Sequence, residues 1–347
     1  MQLHWDSKIY VHAPAGIVTG GVELLHQLVS FLRQRGREAY IVYYGTEPSA
    51  VPADYQCYDI AVADQIEDTE KHVEVYTEVM ARQLYANHRK TQKFIWWLSV
   101  DKYYEFAPAD LPLSEIYEHF SFDSFRQTLI YRLKRLSHGI NDFSNRISLF
   151  RRAYRDMTCG YQSEYIHQFL LGKGFEHLVA LKDYINLDHI RPVETRGRED
   201  VVLYNPAKGL EFTQRLMAWA PDLHWVALQG MSRQELISEI RKAKLYIDFG
   251  NHPGKDRMPR ECAINGCCII TGKRGAAAFE EDIPIPSQYK FDERTASLSD
   301  IIARIRWILA NYDTAIVDFA DYRSRIMSEK AEFEQQATAI FLNNQKI

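Results

Sequence analysis

The sequence predicts an α/β protein made of two doubly wound halves. Short apolar runs alternate with amphipathic helical segments over residues 8–181, and the same alternation restarts over residues 200–310. The apolar runs are continuous, which is typical of strands buried on both faces of a parallel sheet. A chain of 347 residues is also long enough for two hydrophobic cores of ordinary domain size.

The composition is that of a globular protein. Hydrophobic residues make up 46% of the chain and charged residues 25%, which excludes a disordered polypeptide. No apolar run of membrane-spanning length occurs, and the first residues, MQLHWDSKIY, lack the apolar core of a secretory signal, so we expect a cytoplasmic protein. Five cysteines without a CxxC pair argue against a disulfide framework and a structural zinc site, and we expect reduced, mostly buried thiols.

The first half opens with the strand-like KIYVHAP, a glycine turn and the segment VELLHQLVSFLRQRG, whose apolar residues recur at helical spacing. AYIVYY and KFIWWL are predicted strands, and the polar residues 64–89 between them are predicted to form one long helix. Helices over residues 110–155, a weak strand at TCGY, a helix opened by Ser163 and a strand at HLVAL complete this half. The charged stretch RPVETRGRED is the predicted linker.

The second half repeats the alternation. DVVLY, LHWVAL, KLYIDF and CCII are predicted strands, and the segments between them are predicted helices. In SRQELISEIRKA, Ser232 and Glu235 form a capping box. SLSDIIARIRWILANY and the tail after it are predicted closing helices. We therefore expect one domain over residues 1–188, a second over 189–320, and a C-terminal helix over 321–347 that packs back on the first domain.

Ligands of open parallel sheets bind beyond the carboxyl ends of the strands, where helix N-termini and loop amides converge. After the first strand, Gly20 and Gly21 allow a phosphate or a sugar ring to approach the backbone, although a tight turn before a helix explains them equally well. This loop is not GxGxxG, which counts against a dinucleotide-dependent enzyme. In YNPAKG, after DVVLY, Lys208 can place an ammonium near a diphosphate. A solvated surface lysine is the alternative explanation.

A third loop, GNHPGKDRMPRE, concentrates charge immediately before a helix, in His252, Lys255, Asp256, Arg257, Arg260 and Glu261. A solvated charge run is one explanation. Glu261, however, begins an apolar helix that leads into the buried strand CCII, so we expect its carboxylate near a strand end. A carboxylate in that position can accept both hydroxyls of a ribose. The next loop, TGKRGAAAFEED, adds Arg274 and Gly275 as further phosphate-binding candidates.

These segments resemble the GT-B glycosyltransferases, of the large family that includes many bacterial capsule and lipopolysaccharide enzymes. MSRQELISEIRKAKLYIDFG resembles the family's S-x-x-E-L helix and following strand, and ECAINGCCIITGKRGAAAFEE resembles its glutamate signature and glycine-containing loop. YNPAKG is similar to the segment whose lysine faces the donor diphosphate, VALKDYINLD to the stretch that leads into the hinge, and TGGVELLHQL to the N-terminal glycine loop. The resemblance spans most of the chain and is weakest over residues 64–155.

The resemblance implies two Rossmann-like domains facing a cleft. It also implies a glycosyltransferase that moves a sugar from a nucleoside diphosphate sugar to a hydroxyl of a glycan or lipid-linked acceptor, in the synthesis of bacterial surface polysaccharide. By this likeness Glu261 would bind the donor ribose and Lys208 would contact the diphosphate. Gly20 and Gly21 would face the donor across the cleft.

The sequence departs from the family pattern at two places. Pro253 stands where the family has a second glutamate, and the arginine that often precedes the diphosphate lysine is missing. Lys255, Arg257 or Arg274 are candidates to replace that arginine. His252 and Gly275, in the same loops, complete the predicted donor-binding set. These departures leave open whether the sugar configuration is retained or inverted.

Neither a cofactor nor a metal is expected, because no clustered metal ligands are evident in the sequence. Positive groups and helix dipoles would stabilise the departing diphosphate instead. If the reaction inverts, a general base must come from the N-terminal half. Asp101, just after KFIWWL, is the first candidate and His12 the second. A helix-cap role for Asp101 and a satisfied near-core position for His12 are the alternatives.

Residues 125–155 carry eight basic residues and one acidic residue, interleaved with aromatic ones. Peripheral contact with an anionic membrane leaflet, where lipid-linked acceptors reside, is one use of this basic window, and a plain helix surface is the other. No nucleic-acid partner is expected, given the net charge of −4 and the lack of a recognised motif.

Two other functional classes stay open for the whole chain. One is a catalytically inactive glycosyltransferase-like binding subunit, which the missing glutamate favours. The other is a nicotinamide-dependent dehydrogenase, which shares the α/β architecture but lacks its phosphate fingerprint here.

Overall fold

The computed structural model describes residues 1–45, 50–80, 90–106, 111, 130, 133, 157–186 and 193–343. They form two compact α/β units, each with its own parallel sheet. The first unit holds the described residues up to 184 and those from 330 onward, and the second holds those from 185 to 329. The predicted fold class, two doubly wound sheets flanked by helices, is confirmed.

In the first unit the sheet order is β2-β1-β3-β4-β5-β6, and all pairs are parallel. Its elements are β1 (Ile9–Pro14), α1 (Gly20–Gln34), β2 (Ala39–Tyr44), β3 (Val73–Thr77), β4 (Gln92–Trp97), α2 (Val100–Phe106), β5 (Thr158–Tyr161), α3 (Glu164–Gly172) and β6 (Leu178–Ala180).

In the second unit the sheet order is β10-β9-β7-β8, again all parallel. Its elements are β7 (Glu199–Tyr204), α4 (Leu210–Trp219), β8 (His224–Ala227), α5 (Arg233–Lys242), β9 (Ala243–Asp248), α6 (Arg257–Ile264), β10 (Cys268–Thr271), α7 (Leu298–Ala310), α8 (Tyr312–Ala315) and the start of α9 (Ala320–Phe341).

Local sequence signals set several helix starts as expected. Ser163 caps α3 by accepting a hydrogen bond from the Ile166 amide, and Ser232 and Glu235 form the predicted capping box of α5. Each cap satisfies backbone donors that the first helical turn leaves without partners. α3 and α5 therefore begin where the sequence predicts.

The predicted long helix over residues 64–89 is wrong, because β3 runs through it. Val73 and Val75 face the core at strand spacing, while Glu74 between them is buried on the other face and fully hydrogen-bonded. A buried charged residue inside the strand makes the segment look polar, which hid its alternation. Residues 81–89 and most of 110–155, including most of the basic window, lie outside the described residues.

The end of the chain completes the first core. The second half of α9 packs its apolar side chains on the sheet of the first unit, where the rings of Phe94 and Phe341 lie 5.2 Å apart and those of Phe31 and Phe333 lie 5.9 Å apart. Lys182 and Glu332 form an ion pair of 2.8 Å beside them. Residues 330–343 therefore belong to the first unit although they follow the second in sequence.

All five cysteines lie in the described part of the chain, and no two of them form a disulfide. Cys57 is exposed and the other four are buried. Among the described helices, none has the length and hydropathy that a bilayer crossing requires.

Candidate functional site

The second sheet has its topological switch point between β7 and β9. From β7 the chain moves outward to β8 and then returns to β9 on the opposite side, so the loops after β7 and β9 diverge and leave a crevice at their carboxyl ends. Lys208 and Gly209 follow β7, and Phe249 and Gly250 follow β9. The crevice therefore lies where the sequence places two of its three candidate loops.

These two loops touch each other, and glycine is required for that contact. Gly209 adopts φ +58°, and a Cβ there would lie 2.5 Å from the carbonyl group of Phe249. A Cβ on Gly250 would collide with the Cβ of Lys208. Because both positions exclude a side chain, the loops hold Lys208 beside the end of β9 and leave backbone amides at the start of α4.

Four charged side chains meet in this crevice. The Lys208 ammonium lies 2.5 Å from Asp256 Oδ2. His252 is fully buried, with Nδ1 3.1 Å from Asp256 Oδ2 and Nε2 3.6 Å from Asp248 Oδ1. Asp248 also accepts hydrogen bonds from the Gly250 amide and the Tyr246 hydroxyl. Two anions and two potential cations therefore balance inside one cluster, which we call the Asp-His-Asp-Lys cluster.

Charged neighbours within the cluster shift the pKa values of His252 and Asp256. Burial alone would lower the pKa of His252, but the Asp248 and Asp256 carboxylates outweigh burial and raise it. Burial alone would raise the pKa of Asp256, but Lys208 and His252 outweigh it and lower the pKa. Both shifts favour the charged forms of His252 and Asp256.

Asp248, His252 and Asp256 also bring potential metal-ligating atoms within 4.8 Å of one another, a grouping that the sequence did not suggest. The two ring nitrogens of His252 face different carboxylates, whereas one metal ion binds one nitrogen of a histidine. The Lys208 ammonium lies against the Asp256 oxygen as well. The arrangement fits a histidine that lies between two carboxylates better than it fits a metal centre.

Glu261 lies in the second turn of α6 and is only 3% exposed. Its Oε2 accepts a hydrogen bond from Arg233 Nη1 at 2.6 Å, and Arg257 Nε lies 4.0 Å from Oε1. Arg233, at the first position of α5, has a half-exposed side chain. The long side chain of Arg233 therefore reaches the buried Glu261 carboxylate from the solvent side. The sequence did not suggest Arg233 as a neighbour of Glu261.

Two predicted donor-binding residues are engaged in buried ion pairs. Lys255 Nζ lies 2.7 Å from Glu329 Oε1, and Arg274 donates to the Phe249 carbonyl at 2.7 Å and lies 3.2 Å from Glu293 Oε2. Both side chains are less than one tenth exposed. In these positions they anchor the loops that follow β9 and β10.

The loop after β10 also closes against the loop after β9. Gly275 adopts φ +58°, and a Cβ there would collide with the His252 carbonyl. The Ala276 amide donates to the same carbonyl at 2.8 Å. Gly275 therefore holds the buried His252 segment in place.

In the first unit, Gly20 and Gly21 are the first two residues of α1. Thr19 caps the helix, and the Tyr55 hydroxyl accepts from the Thr19 amide and donates to its carbonyl, both at 2.9 Å. Gly21 has no left-handed backbone, and the nearest described atom to a Cβ there is Leu98 Cδ1 at 3.8 Å. Among the described residues, no contact therefore requires glycine at position 21.

His12 lies inside the sheet rather than at its edge. Its Nε2 is 2.8 Å from Glu74 Oε2, and its ring stacks on Tyr76 with centroids 4.1 Å apart. Burial would raise the pKa of Glu74, but hydrogen bonds from His12, Lys93, Thr91 and Tyr76 outweigh it and lower the pKa. This strongly bonded network matches the near-core alternative for His12.

Asp101 lies in the first turn of α2, and its side chain is half-buried. Ser99 caps this helix by accepting from the Lys102 amide at 3.1 Å. Close by, Glu78 follows β3 directly and is 4% exposed, and burial raises its pKa to about 7. The sequence offered no signal for Glu78, because its burial depends on segments distant in the chain.

No family model and no curated protein matches this sequence. Solved structures do match. Sucrose-phosphate synthase from Thermosynechococcus elongatus aligns over 96% of this chain and 98% of its own, with 13% identity and a TM-score of 0.65. Anabaena HepE, solved in complex with UDP, aligns over 96% and 98% of the two chains, with 10% identity and a TM-score of 0.59.

The lipopolysaccharide outer core galactosyltransferase WaaB also aligns over 96% of this chain and 98% of its own, with 10% identity and a TM-score of 0.57. The chain has the GT-B fold. The resemblance seen in the sequence is therefore confirmed at the level of the fold, although no single motif in it is specific. In this GT-B chain the Asp-His-Asp-Lys cluster and Glu261 both lie in the second unit, around the carboxyl ends of its strands.

Proposed function

We propose that the protein is a glycosyltransferase that moves a sugar from a nucleoside diphosphate sugar to an acceptor hydroxyl. The observation that carries this proposal is the switch-point crevice of the second sheet, which combines touching glycine loops, the Lys208 ammonium and the buried Glu261 carboxylate. The GT-B fold supports the same reaction class, since HepE was solved with UDP and with UDP-glucose.

Each group has a chemical role in this proposal. Glu261 accepts the two ribose hydroxyls of the donor, and Arg233 gives up or shares the carboxylate when the ribose binds. Lys208 and the amides at the start of α4 face the diphosphate. Arg257, partly exposed and 4.0 Å from Glu261, adds positive charge. These groups would stabilise the negative charge of the departing diphosphate without a metal ion or another cofactor.

The acceptor side is proposed from the sequence. We propose a glycan or lipid-linked acceptor, synthesis of bacterial surface polysaccharide, and a cytoplasmic location with peripheral membrane contact through residues 125–155. Eight basic residues interleaved with aromatic ones support that contact, because such a surface binds anionic headgroups. Vesicle flotation would test it, and equal recovery with anionic and neutral lipids would argue against the electrostatic contact.

A catalytically inactive binding subunit is the second candidate. Pro253 replaces the second family glutamate, and this departure favours it. Both candidates predict nucleotide binding, but only the transferase predicts release of the nucleoside diphosphate from its donor. Measuring that release in a purified sample separates them.

The donor site is tested by thermal stability with UDP, GDP, dTDP, CDP, CMP and NAD. A ligand at one hundred times its dissociation constant stabilises the folded state by about 2.7 kcal/mol. We expect one nucleoside diphosphate to stabilise the wild type, and Glu261→Gln to lose most of that effect. Glu199→Gln is the matched control, because Glu199 is exposed at the opposite, amino end of β7. If no nucleotide stabilises the wild type, the proposed function is wrong.

A further inference from the structure

One ion pair of the second unit joins a buried acid to a half-exposed base. The Glu261 side chain is almost entirely buried, whereas the side chain of Arg233, whose Nη1 lies 2.6 Å from Glu261 Oε2, is 46% exposed. The pair of Lys255 and Glu329 differs from it, because both of its side chains are less than one tenth exposed. The pair of Arg233 and Glu261 can therefore open on the solvent side without moving a buried base.

The Glu261 side of this pair is held in place. The neighbouring Arg260 is fully buried, and its Nη1 lies 2.9 Å from Glu329 Oε2. Arg260 also donates to the carbonyls of Lys255 and Asp256, at 2.8 and 3.1 Å. Buried hydrogen bonds of this kind fix helix α6 and with it the position of the Glu261 carboxylate. If the pair opens, the guanidinium is therefore the group that moves.

The backbone of Arg233 is fixed, while its side chain extends through solvent. Arg233 is the first residue of α5, inside the capping box that Ser232 and Glu235 form. This helix follows β8, which pairs with β7, so its start lies at the same carboxyl edge of the sheet as the Lys208 loop. A half-exposed arginine side chain can change rotamer without unfolding the turn that carries it.

A ribose and Arg233 require the same carboxylate oxygens. In the proposed function the two ribose hydroxyls donate to Glu261, but its Oε2 already accepts from Arg233 Nη1. A guanidinium on a carboxylate gains from two opposite charges, whereas a hydroxyl on a carboxylate gains from only one. The hydroxyls of a nucleoside alone are therefore poor competitors for this position.

A diphosphate changes this competition. Its oxygens offer the guanidinium a new anionic partner, and arginine binds phosphate in the same forked geometry as carboxylate. Arg257 Nε lies 4.0 Å from Glu261 Oε1, so one positive charge stays near the carboxylate when Arg233 leaves. A ligand that carries both a ribose and a diphosphate can therefore exchange partners with Arg233 and leave no charge without a counter-charge.

We propose that Arg233 is a selectivity latch of the donor site. It covers the Glu261 carboxylate in the empty protein and moves to the diphosphate when the ribose takes its place. The latch makes the site select a nucleoside diphosphate over the nucleoside with the same base and ribose. The inference rests on the proposed function.

Calorimetry with uridine and with UDP, or with the nucleoside and diphosphate of whichever base stabilises the wild type, tests the latch. In Arg233→Gln the carboxylate has lost its competing cation, so uridine should bind about tenfold more tightly than to wild type. UDP should bind no more tightly than before, because the cation that its phosphates attract is gone. The preference for UDP over uridine should therefore fall by about tenfold or more.

Two other variants complete the experiment. Arg233→Lys keeps the charge but loses the planar fork, so its preference for UDP should lie between those of wild type and Arg233→Gln. Arg306→Gln is the matched control, because Arg306 is about as exposed as Arg233 and pairs with Asp222 at 2.8 Å, just before β8 at the amino end of the sheet. It should leave both affinities unchanged.

Several results would overturn the latch. Equal weakening of uridine and UDP in Arg233→Gln would mean that Arg233 only shapes the site. Unchanged uridine binding with weaker UDP binding would make Arg233 a fixed phosphate ligand instead. In both cases loss of UDP binding in Glu261→Gln would leave the proposed function standing.

Two further outcomes also decide. If no nucleoside diphosphate binds the wild type, the latch and the proposed function are both wrong. If Arg233→Gln does not fold, Arg233→Lys must still bind uridine more tightly than the wild type does, and an unchanged preference in that variant contradicts the latch.

Discussion

Stability should fall with rising pH because of Glu78, and this is measurable without any substrate. In the folded protein, burial raises the pKa of Glu78 from its ordinary value of 4.5 to about 7. The folded state therefore holds a proton that the unfolded chain releases at lower pH. The stabilisation is fully present below 4.5 and is lost as the pH rises to about 7.

The size of the effect follows from the shift. A tenfold change in proton affinity is worth about 1.4 kcal/mol, so the wild type should lose about 3 kcal/mol between about pH 4.5 and pH 7 from this residue. Glu78→Gln has no proton to lose. The free energy of unfolding of the variant, measured relative to wild type, should therefore increase by about the same 3 kcal/mol over this range.

The assay is urea denaturation followed by circular dichroism, with wild type and Glu78→Gln measured at each pH. All other titrating groups are common to the two proteins, so their effects cancel in the difference. Glu38→Gln, which changes a glutamate exposed at the amino edge of the same sheet, is the control measured alongside. A difference for Glu78→Gln that does not change with pH would refute the raised pKa of Glu78.

Three further outcomes follow from the second unit. Gly209→Ala should cost more stability than Gly230→Ala in thermal unfolding, because both glycines have positive φ but only position 209 meets backbone atoms at 2.5 Å; equal costs would contradict the contact. Lys208→Met should weaken UDP binding by about tenfold or more in calorimetry while uridine binding and the surface control Lys242→Met stay unchanged. His252→Gln should lose stability at low pH, and this deficit should shrink as the pH rises through the raised pKa of His252; a constant deficit would contradict the imidazolium.

Strands buried on both faces and capped helices could be predicted from the sequence because their signals are local. The runs that became β1, β4, β7 and β9 each contain three or four consecutive apolar residues, and Ser163 and Ser232 stand directly before the helices they cap. β3 was missed for a physical reason. Its Glu74 is charged, and only distant partners such as Lys93 and His12 make a buried carboxylate possible there.

Candidate loops could also be predicted, because any doubly wound sheet places its ligands at the carboxyl ends of its strands. The pairing of charges within those loops could not. Lys208 and Asp256 are 48 residues apart, and Glu329, the partner of Lys255, lies in the C-terminal helix. A sequence shows charge but not burial, so a loop rich in lysine and arginine looks the same whether its side chains face solvent or a buried carboxylate.

The switch points of the two sheets share one topology but differ in electrostatics among the described residues. At the switch point of the second unit, Lys208 and His252 lie beside the carboxylates of Asp248 and Asp256. At the switch point of the first unit, burial raises the pKa of Glu78 to about 7, and none of the described lysines, arginines or histidines forms an ion pair with it. A carboxylate beside cations stays ionised to lower pH, whereas a buried carboxyl without such a pair keeps its proton to higher pH, so one sheet topology supports opposite electrostatics at its switch point.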